Sequence, residues 1–317
     1  VAEAASIGAV MIPGMKKEGY PISFAAAITA AASTVGPIIP PSVPMIIVGA
    51  LTGVSVGRMF MAGAIPGILL GLGMMLVCYL MAVKNNYPRQ PWKGWRELWN
   101  SFLGAFWALM LTVLIVGGLL SGLVTPTETA ILACVYAFVV GVYIYKGIGL
   151  RDVPKIMIDS AVTSAALLAL VGIANVFGWI MAAEEIPQSI AKAMLSLTND
   201  RNLIILLINV LLLIVGMFME TIAALIILFP TLLAVATKVG IDPVHFATFA
   251  VLNLMIGLTT PPVGVCLFVC ANIARAPLSS VIKAIFPFLV GNIIVLFLVS
   301  YIPQLSLWLP NLLFGGK

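Results

Sequence analysis

Two proline-bound blocks carry the backbone with the most chemistry to offer. Gly36-Pro37-Ile38-Ile39-Pro40-Pro41-Ser42 and Gly257-Leu258-Thr259-Thr260-Pro261-Pro262-Val263-Gly264 each read Gly-x-x-x-Pro-Pro, 221 residues apart, inside apolar runs. A continuous helix cannot pass Pro-Pro, because both nitrogens lack a proton and the residue before each proline is pushed toward extended backbone. An arm entering such a break ends in unpaired carbonyls, which suit a hard cation such as Na⁺. The arm leaving it begins with unpaired amides at the positive pole of a helix, which suit a carboxylate. Ser33, Thr34, Ser42, Thr259 and Thr260 add hydroxyl oxygens, and Gly36, Gly257 and Gly264 permit backbone geometry that other residues resist. Two acids, Glu3 and Glu220, sit inside apolar runs, where an unpaired charge is expensive. Each is either an ion ligand near the breaks or a protonated acid hydrogen-bonded for packing.

The elements that must position these groups follow from length and periodicity. Each Pro-Pro block has roughly a dozen apolar residues on either side, an arm of only ~18 Å, too short for a ~30 Å hydrocarbon core. The lengths therefore predict re-entrant helical hairpins over residues 22–50 and 244–273. Spans are predicted over 59–83, 102–123, 127–145, 157–182, 203–229 and 281–301. Between the first two spans, residues 84–100 carry Trp92, Trp95 and Trp99 among Lys93, Arg96 and Glu97, the pattern of a short helix lying in the interface. Thr125-Pro126-Thr127-Glu128 matches a capping box with proline at the first helical position, which makes Glu128 a cap. Asp242-Pro243 reads as an N-cap and first helical residue.

With 62% hydrophobic and 9% charged residues over 317 positions, the chain is an all-α polytopic membrane protein rather than a soluble domain. The net charge of +5 resides between apolar runs, where loops belong, and is no nucleic-acid signature. Cys78, Cys134, Cys266 and Cys270 lie within apolar segments and read as small buried hydrophobes. His245, the sole histidine, reads as a residue at a membrane boundary. Asn175, Asn209, Asn253, Asn272 and Asn292 read as hydrogen-bonding partners between helices. The chain opens on Val within an apolar segment, with no charged region before it, and we expect a fragment lacking its first transmembrane helices.

The repeat extends beyond the two blocks. Lys17 and Lys238, Gly19 and Gly240, and Pro66 and Pro287 share the 221-residue spacing, and Glu3 with Pro13 matches Glu220 with Pro230 at 217. An odd number of spans between the halves gives an inverted repeat. Loop charges divide ten against five. Lys84, Arg89, Lys93, Arg96, Lys146, Arg151, Lys155, Lys238, Arg275 and Lys283 fall on the richer, cytoplasmic side, and Lys16, Lys17, Arg58, Lys192 and Arg201 on the other.

These motifs, together with Gly216-Met217-Phe218-Met219-Glu220, resemble the large membrane subunit of tripartite ATP-independent periplasmic (TRAP) transporters over the whole chain. That family often carries Asp where this chain has Glu3 and Glu220. The resemblance implies a multi-pass protein of the bacterial inner membrane with the inverted-repeat elevator fold of the ion transporter superfamily. It implies sodium-coupled import of a carboxylate, such as a C4-dicarboxylate or sialic acid. It further implies two partners, a small four-helix membrane subunit and a periplasmic substrate-binding protein. Sodium would be held around Gly36, Ile39 and Pro41 and around Gly257, Thr260 and Gly264. Substrate would lie between tips that include Ser33, Thr34, Pro40, Ser42, Thr259, Pro261 and Pro262. Residues 1–83 and 203–301 would form the transport domain, 84–100 an arm, 101–202 the scaffold, and 302–317 a tail. Two other readings remain: a carboxylate carrier that needs no binding protein, and an intramembrane hydrolase. The hydrolase lacks any lysine beside a serine within a span and any His-Glu-x-x-His.

Overall fold

The computed structural model describes residues 2–88, 91–121, 124–185, 189, 192–193, 196, 198 and 200–315. Its helices are α1 (Ala2–Lys17), α2 (Ile22–Ala32), α3 (Val43–Thr52), α4 (Val56–Lys84), α5 (Trp95–Ser121), α6 (Pro126–Val139), α7 (Val153–Ala183), α8 (Arg201–Phe218), α9 (Thr221–Lys238), α10 (Pro243–Gly257), α11 (Val265–Ala274), α12 (Leu278–Tyr301) and α13 (Gln304–Phe314). No strand occurs among the described residues. Six of the described helices are long and apolar enough to cross a membrane: α4, α5, α8, α9, α12, and α6 with the π-helical turn Val140–Ile144 that continues it. The chain divides into two compact units, one of Val1–Pro88 with Phe177–Lys317 and one of Arg89–Val176.

The larger unit holds both Pro-Pro blocks, and the helices stop there as the proline chemistry requires. Residues 33–42 and 258–264 are turns and bends between α2 and α3 and between α10 and α11. The arms, however, do not return to their own side. Tyr20 donates its hydroxyl to the Pro88 carbonyl at 2.9 Å, and the Phe24 ring lies 4.7 Å from that of Tyr87. α2 therefore starts beside the far end of α4, whereas α3 stops at Thr52, just before α4 begins at Val56. α4 is an unbroken helix of 29 residues, about 43 Å long at 1.5 Å per residue. The same holds in the second half. His245 Nε2 bonds the Val299 carbonyl at 2.9 Å, so α10 starts beside the end of the 24-residue α12, while α11 leads into its beginning. Residues 22–50 and 244–273 are thus interrupted helices that run from one end of the unit to the other, not re-entrant hairpins. The non-helical residues of each block add the length that the arms lack.

The pair that does turn back is α8 and α9. Tyr301 donates to the Asn202 carbonyl at the start of α8, and α9 finishes four residues before Asp242 caps α10. Both therefore open at the end that carries His245 and Tyr301. The single span expected over 203–229 is two helices of 18 residues each, separated by the extended residues Met219 and Glu220.

The matched helices α4 and α12 run antiparallel. A Cβ on Gly73 would meet Val295 at 3.3 Å, and one on Gly291 would meet Val77 at 3.0 Å. These two matched helices are therefore inverted with respect to each other; the odd span count gave the same sense only because residues 22–50 cross where a return was expected and residues 203–229 return where a crossing was expected. With crossing rather than returning arms, Lys16 and Lys17 move to the end that carries Lys84, Arg275 and Lys283. Lys238 moves to the end of Arg58 and Arg201. That corrects the loop-charge division for these three residues. At the latter end α13 folds back along α4, with Phe314 against Gly57 and Arg58 Nη2 donating to Asn311 Oδ1 at 2.8 Å.

In the smaller unit α5 is one helix of 27 residues starting at Trp95. Trp95 and Trp99 thus belong to it rather than to a separate interfacial helix, because no Pro interrupts the chain from Trp95 to Ser121 and Gly104 is taken into the helix. The Thr125–Glu128 capping box forms as expected. α5 and α6 are joined by Tyr136 Oη donating to the Trp107 carbonyl and Tyr145 Oη to that of Gly104, each at 2.8 Å. The side chain of Asn175 lies outside the described residues.

Candidate functional site

At both blocks the arriving helix spends its hydroxyl protons on itself. Ser33 Oγ and Thr34 Oγ1 donate to the carbonyls of Ala30 and Ala31 at 2.8 and 2.7 Å. Thr259 Oγ1 and Thr260 Oγ1 both donate to the Ile256 carbonyl, at 2.9 and 2.8 Å. These back-bonds to the preceding turn leave only oxygen lone pairs facing outward, which can accept but not donate. All four residues are buried. Among the described residues, no hydrogen bond reaches the carbonyls of residues 38–41 or 260–263. Each break therefore gathers hydroxyl oxygens that can still accept and carbonyl oxygens that no hydrogen bond reaches, the donor set that hard cations take. The Pro40–Pro41 and Pro261–Pro262 peptide bonds are cis.

The first block is built against α1 and α4. The Glu3 carboxylate lies on Gly36, so close that a Cβ there would overlap it. On the other side Gly63 faces the Ile38 carbonyl, and a Cβ on Gly67 would come within 2.5 Å of the Ile39 side chain. Ser42, the last residue of the break, caps α3: its hydroxyl donates to the Pro37 carbonyl and accepts from Met45 N at 3.2 Å. Ile39 stays partly exposed, and Pro41 is exposed.

The second block is built against the turn between α8 and α9. A Cβ on Gly257 would lie 2.6 Å from the Gly216 Cα and carbonyl carbon, so the two helices touch backbone to backbone. Gly264 N–H points at the Met217 carbonyl, 3.5 Å away. Gly264 itself has φ +57°, the left-handed region that glycine enters without penalty. Pro261 is half-buried and Pro262 exposed beside it. Glu220 is exposed and accepts from the amides of Ile222 at 2.7 Å and Ala223 at 3.2 Å. It is the N-cap of α9, which replaces the reading of an acid buried for packing. Replacing Glu220 by Ala should cost about 1 kcal/mol in thermal unfolding of the purified protein, the usual worth of a cap, while Asp should lose far less.

The structure thus joins Glu3 to Gly36, and the Gly216–Glu220 turn to Gly257 and Gly264. Sequence reasoning missed the roles of Gly63, Gly67 and Gly216. The Gly63-Ala64-Ile65-Pro66-Gly67 spacing, two small residues one turn apart, is the signal that a second backbone approaches there.

Six apolar helices among the described residues, with two interrupted helices in the larger unit, define a multi-pass membrane protein. The family described as "Tripartite ATP-independent periplasmic transporter, DctM component" matches residues 1–305. The chain belongs to that family, whose members are inner-membrane transport permeases and not enzymes. It is 40% identical over 315 residues to the sialic acid TRAP transporter large permease protein SiaM of Vibrio cholerae, covering 99% of this chain and 74% of that protein. It is 41% identical over 310 residues to the C4-dicarboxylate TRAP transporter large permease protein DctM of Pseudomonas aeruginosa, covering 98% and 73%. It is also 41% identical to the isethionate TRAP transporter permease protein DctMQ of Oleidesulfovibrio alaskensis, covering 97% of this chain and about half of that protein, 48%.

Proposed function

We propose that the chain imports a carboxylate solute, coupled to sodium, by an elevator movement of its larger unit. It would receive the solute from a periplasmic binding protein and work beside a small four-helix membrane subunit. The observation that carries this reading is the pair of breaks, each presenting buried hydroxyl oxygens that can still accept beside carbonyl oxygens that no hydrogen bond reaches among the described residues. Sodium would gather around Gly36, Ile39 and Pro41 at one break and around Gly257, Thr260 and Gly264 at the other. The Glu3 side chain lies against Gly36 at the first break, and Glu220 closes the α8–α9 turn whose Gly216 meets Gly257 at the second. A carboxylate would be met by the amide ends of α3 and α11, at the positive poles of their dipoles. The named solutes of the three relatives are all organic anions, which suits that arrangement.

The end of the larger unit with Lys16, Lys17, Lys84, Arg275 and Lys283 would face the cytoplasm, since it is more basic than the end with Arg58, Arg201 and Lys238. The test is uptake of radiolabelled sialic acid, succinate and isethionate by cells expressing the complete permease with its partner subunits, across a sodium series. One of the two carboxylates should accumulate only with sodium, whereas accumulation of isethionate alone, a sulfonate, would overturn the carboxylate assignment. Thr260→Val, which removes one oxygen at unchanged shape, should raise the sodium concentration for half-maximal uptake about tenfold, the equivalent of ~1.4 kcal/mol. Uptake of every solute without sodium, or an unchanged sodium requirement in that variant, would defeat the reading.

A further inference from the structure

Beneath the second block runs a polar ladder that the oxygens of the break do not use. Asn253, on α10 one turn before Gly257, donates from Nδ2 to both the carbonyl and the side-chain oxygen of Asn209 on α8, at 2.9 and 2.7 Å. Asn209 Nδ2 in turn donates to Ser300 Oγ of α12 at 3.1 Å. Further down, His245 of α10 holds the Val299 carbonyl. His245, Asn253 and Ser300 are wholly buried and Asn209 nearly so; His245 stands at the start of α10, as expected of a boundary residue, but faces protein rather than water.

The fold does not need this ladder for packing. At the matched positions of the first repeat, 221 residues earlier, His245 and Asn253 are replaced by Phe24 and Ala32. There Phe24 packs against Tyr87 and Phe288 through rings alone. The ladder is also incompletely satisfied, since Asn253 Oδ1 and His245 Nδ1 are buried without a partner. A buried unsatisfied acceptor carries a cost, so a polar pair kept where an apolar one would pack must contribute something besides cohesion.

What it can contribute is register. Apolar helix faces slide past one another at little cost, whereas an amide bonded to one particular backbone carbonyl does not. Asn209 lies two turns before Gly216, and Asn253 one turn before Gly257. Locking the asparagines to each other therefore fixes where Gly216 lands on Gly257.

We propose that Asn253 and Asn209 are positioning residues for the second break, holding the α8–α9 turn against it so that its oxygens are set before a cation arrives. The first break lacks this device. This inference rests on the sodium-coupled reading above. The experiment is sodium-dependent thermal stabilisation of the purified transporter, with choline chloride holding ionic strength constant. Asn253→Leu and Asn209→Ala should each raise the sodium concentration for half-maximal stabilisation about three- to tenfold, the range expected for an interhelical hydrogen bond in a membrane protein. The double variant should shift no further than the larger single one. Should Asn253→Leu fail to fold, Asn209→Ala and Ser300→Ala carry the test, with Ser300→Ala giving a smaller shift. A lowered melting temperature with an unmoved sodium midpoint, or additive shifts in the double variant, would reduce the pair to a packing role and overturn the inference. A wild-type protein that sodium does not stabilise would instead remove the transport reading, and this inference with it.

Discussion

Gly257→Ala should cut uptake by more than tenfold while the protein still reaches the membrane. The new methyl would sit 2.6 Å from the Cα and carbonyl carbon of Gly216. Neither atom belongs to a flexible side chain, so relief must come from moving one helix against the other. Overpacking of this kind costs about 1–3 kcal/mol in stability. The larger consequence lies at the site, because the displaced α8–α9 turn carries the Met217 carbonyl and the Glu220 cap away from Gly264. Membrane abundance measured alongside uptake separates the two. Near-normal uptake at normal abundance would show that this close approach is not needed.

Gly63→Ala should be nearly as damaging, from the other half of the chain. Its methyl would collide with the Ile38 carbonyl, a backbone group of the first break, while Met45 crowds it at 3.3 Å. A contrast within the same block sharpens the expectation. At Gly36 the atoms in the way are the carboxylate of Glu3, the far end of a side chain that can swing aside. Gly63→Ala should therefore lower the unfolding temperature more than Gly36→Ala does, by the equivalent of about 1–3 kcal/mol. Equal unfolding temperatures would mean that α4 yields where the contacts say it cannot.

Features written in local chemistry were legible before any coordinates. Pro-Pro stops a helix whatever surrounds it, so both breaks lie where the prolines are. Asp242 caps α10 through Val244 N and His245 N, as its place before Pro243 implies. The course of the chain beyond each break was not legible. Counting only the helical arms, 11 and 10 residues in the first repeat, leaves too little to cross. The ten residues 33–42 add rise that no helical periodicity reveals. The turn at Met219–Glu220 was hidden for a different reason. Glu is an uncommon N-cap beside Ser, Thr, Asp and Asn, and the residues around it are apolar enough to pass for one span. The asparagine ladder is visible in sequence only as residue types, because Asn209 and Asn253 are 44 positions apart and their meeting depends on how α8 folds back.

The opposed course of α4 and α12, touching at Gly73 with Val295 and Gly291 with Val77, has a consequence for how defects should pair. A rotation that brings one helix onto its mate also exchanges inside for outside. On the proposed mechanism, equivalent lesions should therefore hinder opposite strokes of the cycle: loading from the periplasm in one half, discharge into the cytoplasm in the other. Enlarging Gly73 and enlarging Gly291 would then look alike in net uptake, yet separate when influx and efflux are timed individually.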